Sequence, residues 1–380
     1  MHIEKLSRDS DINAKIKALG VDGGGIKILS QKATTFCLYI YDLHVGAANI
    51  LKQDALSIGA DLAVPKGTIL AQTPYVDAIL IANARQLEVL SRKELAQPFG
   101  LKSLAKELKK HLKAHKPQPT KIMGVLNANE DSFFKESRFD ATSATVKIES
   151  MIEEGADIID IGGVSSRPGS DAVSVEEELS RVGDILTLIG HEKLYEKVNF
   201  SIDTYRVQVA DMALGNGFKI VNDITGLGSS ELIKCIASYD AQAVLMHMQG
   251  NPKSMQNNPN YSNVINEVES FFLERLELAD KNGLQDIILD VGIGFGKRLE
   301  DNLALIAQME HFLALGKPLL IGASRKSMIN EIYPTVVQER LAGSLVLHIK
   351  AVENGAEIIR THDVKAHAQA LAIHKALTSI

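Results

Sequence analysis

The sequence predicts a closed (β/α)₈ barrel, the TIM-barrel architecture of the α/β class, preceded by a small N-terminal α/β segment. Three observations carry this. Eight short apolar runs recur between Lys121 and His362, each followed by room for a helix. Polar or charged residues follow nearly every run, where a barrel gathers its functional groups. Finally, the chain of 380 residues exceeds one ordinary domain, and the stretch after Thr120 is about the 250 residues that one barrel needs.

The runs, in order, are KIMGVL (121–126), DIIDI (157–161), VNFSI (198–202) and KIVND (219–223), then AVLMH (243–247), DIILD (286–290), PLLIG (318–322) and EIIRTH (357–362). Their continuous apolar character fits parallel strands covered on both faces. EEGADIID, GNGFKIV and ENGAEIIR each set a glycine where a helix ends before a strand begins. The linking segments differ in length and sequence, unlike the units of a solenoid. A doubly wound open sheet is the alternative architecture, but it leaves the polar strand ends without a reason.

KAHKPQPT (113–120) marks a boundary, because Pro117 and Pro119 cannot continue the lysine-rich helix expected over Leu101–His115. The expected division is residues 1–119 as an α/β extension and residues 120–380 as the barrel. Within the extension, residues 45–59 read as a helix ending at Gly59. Leu62–Val64 and Val76–Ile81 read as buried strands, and Leu87–Leu90 as part of another helix. No acid–amide–base constellation appears there, so its expected role is structural or in assembly.

A net charge of −6 gives no global basic field, which argues against nucleic acid as the main partner. Cys37 and Cys235 match no metal spacing and read as free thiols in a reducing compartment. The first residues lack the apolar block of a signal peptide, and no apolar run is long enough to span a membrane. A soluble, cytoplasmic protein is expected.

At the strand ends stand Asn127, the loop GGVSSRPGS, Asp203, Asn222, His247, Asp290 with GIGFGK, Ser324-Arg325-Lys326-Ser327, and Arg360 with His362. Asp203 and Asp290 each end an apolar strand; helix capping is the alternative for either alone. With the Asn222 amide they suit a flat heterocycle rich in N–H donors, such as a pterin. Arg360 and His362 lie two apart and share a face of a strand. With Arg325 and Lys326 they form a basic patch suited to a phosphate or diphosphate leaving group, ordinary surface charge being the alternative. His247 reads equally as a rim group or a packed histidine. GIGFG is no dinucleotide fingerprint, since it lacks the GxGxxG spacing at a first strand. Its glycines permit close backbone approach, with Phe295 at the pocket wall. SSRPGS reads as a mobile loop, with Arg167 open to anions and Pro168 restricting its conformations.

Taken together, GVLN-x₃-DSF, GADIIDIGG-x-SSRPG, SIDTYR, IVNDITG, LMHMQGNPKSMQ, LD-x-GIGFGK, GASRKSMI and IIRTHDVKAH resemble the dihydropteroate synthase family from about Lys121 to Ala370. The resemblance implies a transferase of folate biosynthesis and sulfonamide target that condenses p-aminobenzoate with hydroxymethyl-dihydropterin diphosphate, aided by Mg²⁺, as a homodimer. It implies that Asp203, Asn222, Asp290 and Lys326 hold the pterin, and that Asn127 positions the metal and the diphosphate. Arg360 and His362 would bind the diphosphate with Arg167. Ser166, Pro168, Phe295 and Ser327 would line the p-aminobenzoate side, with Asp131, Ser132 and Phe133 on the first loop. Asp203, Lys326, Arg360 and His362 form the implied catalytic set. The sequence departs from the family's usual motifs at NANEDSF, where Asn129 and Glu130 replace Thr-Pro, at Val164 and Ser166 in GGVSSRPG, and at Val291 in DVGIGFGK. The first-loop change is the only support for one alternative, a catalytically silent pterin-binding paralogue, against an otherwise complete set of site residues. The other alternative, a pterin-binding methyltransferase domain, has no need of the SRK and R-x-H cations.

Overall fold

The computed structural model describes residues 1–6, 10–128, 141–164, 173–250 and 255–378. These divide into two compact units, Met1–Ala114 with the C-terminal residues from Ala376, and His115–Lys375. The break falls ahead of the expected division after residue 119, because His115 is already held by the second unit. Its N–H donates to the Leu313 carbonyl at 2.8 Å, and its ring pairs with Glu357.

The first unit contains β1 (Thr35–His44), β2 (Asp61–Ala63) and β3 (Tyr75–Asn83), ordered β1-β3-β2. Both outer strands run antiparallel to β3. In YVDAILIAN the period is two: Val76, Ala78, Leu80 and Ala82 are buried while the residues between them are exposed. The buried face packs on the helix Val45–Ser57 through Ala47, Leu51 and Ala55, and on Leu87, Leu90, Leu101 and Leu108 of two later helices. The strands expected to be buried are therefore buried on one face only, as an antiparallel sheet with helices on one side requires. Beyond the expected elements the unit contains β1, where Phe36, Leu38 and Ile40 alternate toward the core, and the helices Ile12–Ala18 and Gly23–Ala33.

The second unit is a closed parallel barrel. Its strands are β4 (Lys121–Asn127), β5 (Ile158–Gly162), β6 (Asn199–Asp203), β7 (Ile220–Asp223), β8 (Gln242–Met246), β9 (Ile287–Asp290), β10 (Leu319–Ile321) and β11 (Ala356–Thr361). Each expected run lies within one residue of its strand at either end. β11 pairs with both β10 and β4 and so closes the ring. Gly155 supplies the left-handed step, φ 100°, between a helix and β5.

Side-chain alternation then builds the interior in layers. Met123, Ile158, Ile220, Val244, Ile288, Leu320 and Ile358 form an apolar plug, one residue from each of seven strands. Two positions further along those strands come Val125, Asp160, Asn222, Met246, Asp290, Gly322 and Arg360. The same geometry that fills the barrel with hydrocarbon thus delivers a largely polar layer at its C-terminal end. Among the described residues no helix is long and apolar enough to cross a membrane.

Leu80, fully buried at the centre of β3, anchors the core of the first unit. Leu80→Ala should destabilise that unit by about 2–5 kcal/mol. Urea denaturation reads this, and an unchanged unfolding transition would contradict the packing described.

Candidate active site

The polar layer is organised by Arg360. Its Nε–H donates to Asp160 Oδ2 at 2.6 Å and its Nη2 donates to Asp203 Oδ2 at 2.7 Å. Asn222 Nδ2 donates to the same Asp160 oxygen at 3.1 Å. Asp160 is fully buried, and its Oδ1 has no hydrogen-bond partner among the described residues. Burial works against the Arg360 charge, but Asp160 and Asp203 more than restore it, so the guanidinium stays protonated. Burial raises the Asp203 pKa, Arg360 opposes that rise, and Asp160 adds to it. One cation therefore balances two carboxylates inside the barrel, leaving a site that attracts N–H donors.

Asp160 was not among the residues singled out from the sequence. The available signal was its position, two after the inward-facing Ile158 in a strand otherwise wholly apolar. Asp203 is not a helix cap: the following helix begins at Val207 with Arg206 before it. Asn127, Gly162 and Asp203 lie side by side in register across β4, β5 and β6. Asn127 is half-buried at that edge of the mouth.

The loop after β9 holds Asp290. Its Oδ1 accepts from the Gly292 N–H at 2.8 Å, and burial raises its pKa against that bond and against Lys326. Only glycine fits at 292, where φ is +68° and a Cβ would lie 1.9 Å from the His247 carbonyl oxygen. Beneath the loop sits Lys297, which the sequence reading did not single out. Its buried Nζ donates to the carbonyls of Gly292 at 2.9 Å, Phe295 at 3.1 Å and His247 at 3.2 Å, and lies 2.9 Å from His247 Nδ1. Burial pulls the Lys297 pKa down to about 7, opposed by Asp290 and Asp301. Burial and then Lys297 hold the His247 pKa near 2, so His247 is a neutral, packed histidine tying β8 to this loop. Phe295 joins Ile224, Met246 and Met255 in an apolar wall, and Lys326 Nζ stands 4.3 Å from its ring centroid.

The turn after β10 corrects the basic-patch reading. Arg325 adopts a left-handed backbone, φ 55°. It is held there by donation of its N–H to Ser344 Oγ at 2.8 Å and by Arg340 Nη1 donating to its carbonyl at 3.2 Å. Its guanidinium is committed to Asp363, with Nε–Oδ2 at 2.9 Å, so Arg325 shapes the turn and is no open anion ligand. Ser327, exposed, starts the short helix Ser327–Ile332. His362 lies one residue beyond β11 with its Nδ1 3.0 Å from Ser324 Oγ. Its outer edge is exposed, yet burial of the remainder, then Arg360 and Arg325, lowers its pKa to about 4. It is a neutral hydrogen-bonding group near pH 7. The other basic candidates at the mouth are Arg360, paired with Asp160 and Asp203, and Lys326, set against the Phe295 ring.

The structure thus gathers Asp203, Asn222, Asp290 and Arg360 in the barrel's end, with Asn127, Phe295, Lys326, Ser327 and His362 around them. Asp131, Ser132, Phe133, Ser166, Arg167 and Pro168 lie outside the described residues. Among the described residues, no group of three or more His, Cys, Asp or Glu side chains could hold a metal ion.

A family model described as "Pterin binding enzyme" matches residues 123–362. The Escherichia coli dihydropteroate synthase is 40% identical over 261 residues, covering 68% of this chain and 92% of that protein. The chain belongs to the dihydropteroate synthase family. The dihydropteroate synthase of Thermus thermophilus, solved with 4-aminobenzoate, has a TM-score of 0.61 and 37% identity, covering 68% of this chain and 95% of that one. A Helicobacter pylori relative, the bifunctional dihydropteroate synthase/dihydropteroate reductase, is 46% identical over 377 residues and covers 99% of both chains. Membership of the dihydropteroate synthase family makes the chain a transferase of folate biosynthesis, joining p-aminobenzoate to hydroxymethyl-dihydropterin diphosphate. A pterin is the flat, N–H-rich heterocycle that the buried carboxylates suit.

Lys297→Met should leave three carbonyls and His247 without their donor. A loss of at least about 2 kcal/mol is expected. The urea midpoint of the purified variant checks this, and a midpoint within error of the unsubstituted chain would dismiss the Lys297 tie.

Proposed function

We propose that the pterin ring of the diphosphate substrate lies on the Asp203–Asn222–Asp290 layer, with Lys326 at its edge. The observation that supports this is the buried, electron-rich layer set directly on the apolar plug. A pterin's amino and ring N–H groups donate to carboxylate and amide oxygens, while its flat face stacks on hydrocarbon. p-Aminobenzoate then lies beside Phe295 and Ser327. Lys326 stands between the two substrates.

An arylamine is unprotonated near neutral pH, so its attack needs no strong general base. The difficult event is cleavage of the methylene C–O bond, which leaves positive charge on the pterin side and negative charge on the diphosphate. Asp203, ionised, favours the first. His362, donating a hydrogen bond, and Arg360, partly released from Asp203 as the pterin arrives, favour the second. Asn127 offers an amide oxygen at the mouth, and with the diphosphate oxygens and water it suits Mg²⁺, which takes few protein ligands beside substrate phosphates. When bound, Mg²⁺ neutralises the departing diphosphate.

Because burial raises the Asp203 pKa, activity should fall as pH drops through that raised value and the carboxylate is protonated. Asp203→Asn should lower kcat/KM by roughly thirtyfold, about 2 kcal/mol, and remove that acidic limb. A variant within threefold of the unsubstituted chain, with the limb intact, would take Asp203 out of the reaction. Lys326→Met keeps the stem and deletes the charge; it should raise KM for both substrates, and normal turnover by a folded variant would refute its role.

A second activity is proposed for the whole chain, reduction of dihydropteroate to tetrahydropteroate. It rests on the match to the bifunctional Helicobacter pylori relative, which runs through the first unit as well as the barrel. Incubating the full chain with dihydropteroate and a reduced nicotinamide or flavin should give tetrahydropteroate. Absence of that product with either donor would return the first unit to the structural role expected from its sequence.

A further inference from the structure

Between the barrel wall and its last two helices, an unbroken hydrogen-bonded chain of side chains leads to His362. It starts at a backbone group whose role is beyond choice. The Ala323 N–H, just after β10, can only donate, and it donates to His348 Nε2 at 3.0 Å. His348 therefore carries its proton on Nδ1, which faces His367 Nε2 at 2.8 Å. His367 Nε2 must accept, so its own proton is on Nδ1. That nitrogen lies 2.8 Å from the Asp363 carbonyl, which can only accept, and 3.1 Å from Thr361 Oγ1.

Thr361 Oγ1 also accepts from the Asp363 N–H at 3.1 Å, which leaves its proton for Ser324 Oγ at 3.4 Å. Ser324 Oγ additionally accepts from the His362 N–H at 3.3 Å, so its hydroxyl proton goes to His362 Nδ1 at 3.0 Å. The His362 imidazole proton is thereby placed on Nε2, the nitrogen not engaged by Ser324. His348, Thr361 and His367 are 0%, 0% and 1% exposed, so water does not compete along this path. Burial keeps both buried histidines neutral, His348 with a pKa of about 3, so the pattern of donors and acceptors holds across the neutral range.

We propose that His348 and His367 are positioning residues for the transfer reaction: acting through Thr361 and Ser324, they fix His362 as its Nε2–H tautomer, a neutral donor aimed at the substrate's diphosphate. Neither residue touches substrate. The two helices that carry them, Leu341–Glu353 and Val364–Thr378, also brace the turns after β10 and β11, so one hydrogen-bond chain sets both the rotor of Ser324 and the ring of His362. The proposal rests on the placement of His362 against the diphosphate given above.

The test uses the full chain. With ring-¹⁵N histidine, multiple-bond NMR spectra of the unliganded protein should show His362 protonated on Nε2, and inorganic diphosphate should shift those signals. His348→Leu and Thr361→Val both cut the chain, the second with little change of volume. Each should convert His362 to mixed tautomers and raise KM for the pterin diphosphate and Ki for inorganic diphosphate about tenfold. KM for p-aminobenzoate should stay within about twofold. His348→Gln, which can accept from Ala323 and donate to His367, should restore both readouts. An Nδ1–H form of His362 in the unsubstituted chain overturns the proposal without any variant. So does an unchanged diphosphate Ki in folded Thr361→Val. If His362 is the Nε2–H form but ignores diphosphate, the diphosphate placement fails, and the role proposed for the pair fails with it.

Discussion

The buried polar layer of this barrel is arranged around one guanidinium held between two buried carboxylates. Arg360 lies two residues beyond Ile358 of the apolar plug, so strand alternation alone commits its side chain to the interior. A charge so placed must be paired. Asp160 and Asp203 pair it, from β5 and β6 across the barrel, and Asn222 then takes its bearing from Asp160. Replacing any one of these would leave another buried polar group without its partner, which ties Asp160, Asp203, Asn222 and Arg360 together as a unit.

This dependence explains which parts of the site could be read from the sequence. Strands were legible because parallel strands covered on both faces are largely apolar runs, and most of their ends were legible because a polar residue interrupts the run. Asp203, Asn222 and Asp290 stand at such interruptions. Asp160 does not: it sits inside DIIDIG, and only the inward register of Ile158 distinguishes it from a turn residue. Lys297 was hidden for a related reason, since a lysine after a glycine-rich loop looks solvated until the loop's carbonyls fold around it.

Charge was the least legible property. Four basic residues in SRK and R-x-H read as one patch, yet Asp363 takes Arg325 and burial neutralises His362. Both effects depend on which elements meet after folding. The first unit shows the same limit in another form. Helix Val45–Ser57 and β3 were evident, but β1 was overlooked because its apolar positions are interleaved with tyrosines that the sheet leaves exposed. Antiparallel pairing with one bare face is a tertiary fact, and a run of alternating aromatic and aliphatic residues does not disclose it.

The apolar plug also leaves the site a single entrance. Met123, Ile158, Ile220, Val244, Ile288, Leu320 and Ile358 stopper the barrel from below, so a molecule bound on the carboxylate layer enters and leaves through the opposite end. Ser327 and His362 are exposed there, whereas Asp290 and Asn222 are buried. A ligand seated on the carboxylate layer therefore shares one route with anything that rests nearer the opening. A stopper made of seven apolar side chains makes the barrel a vessel with a single mouth.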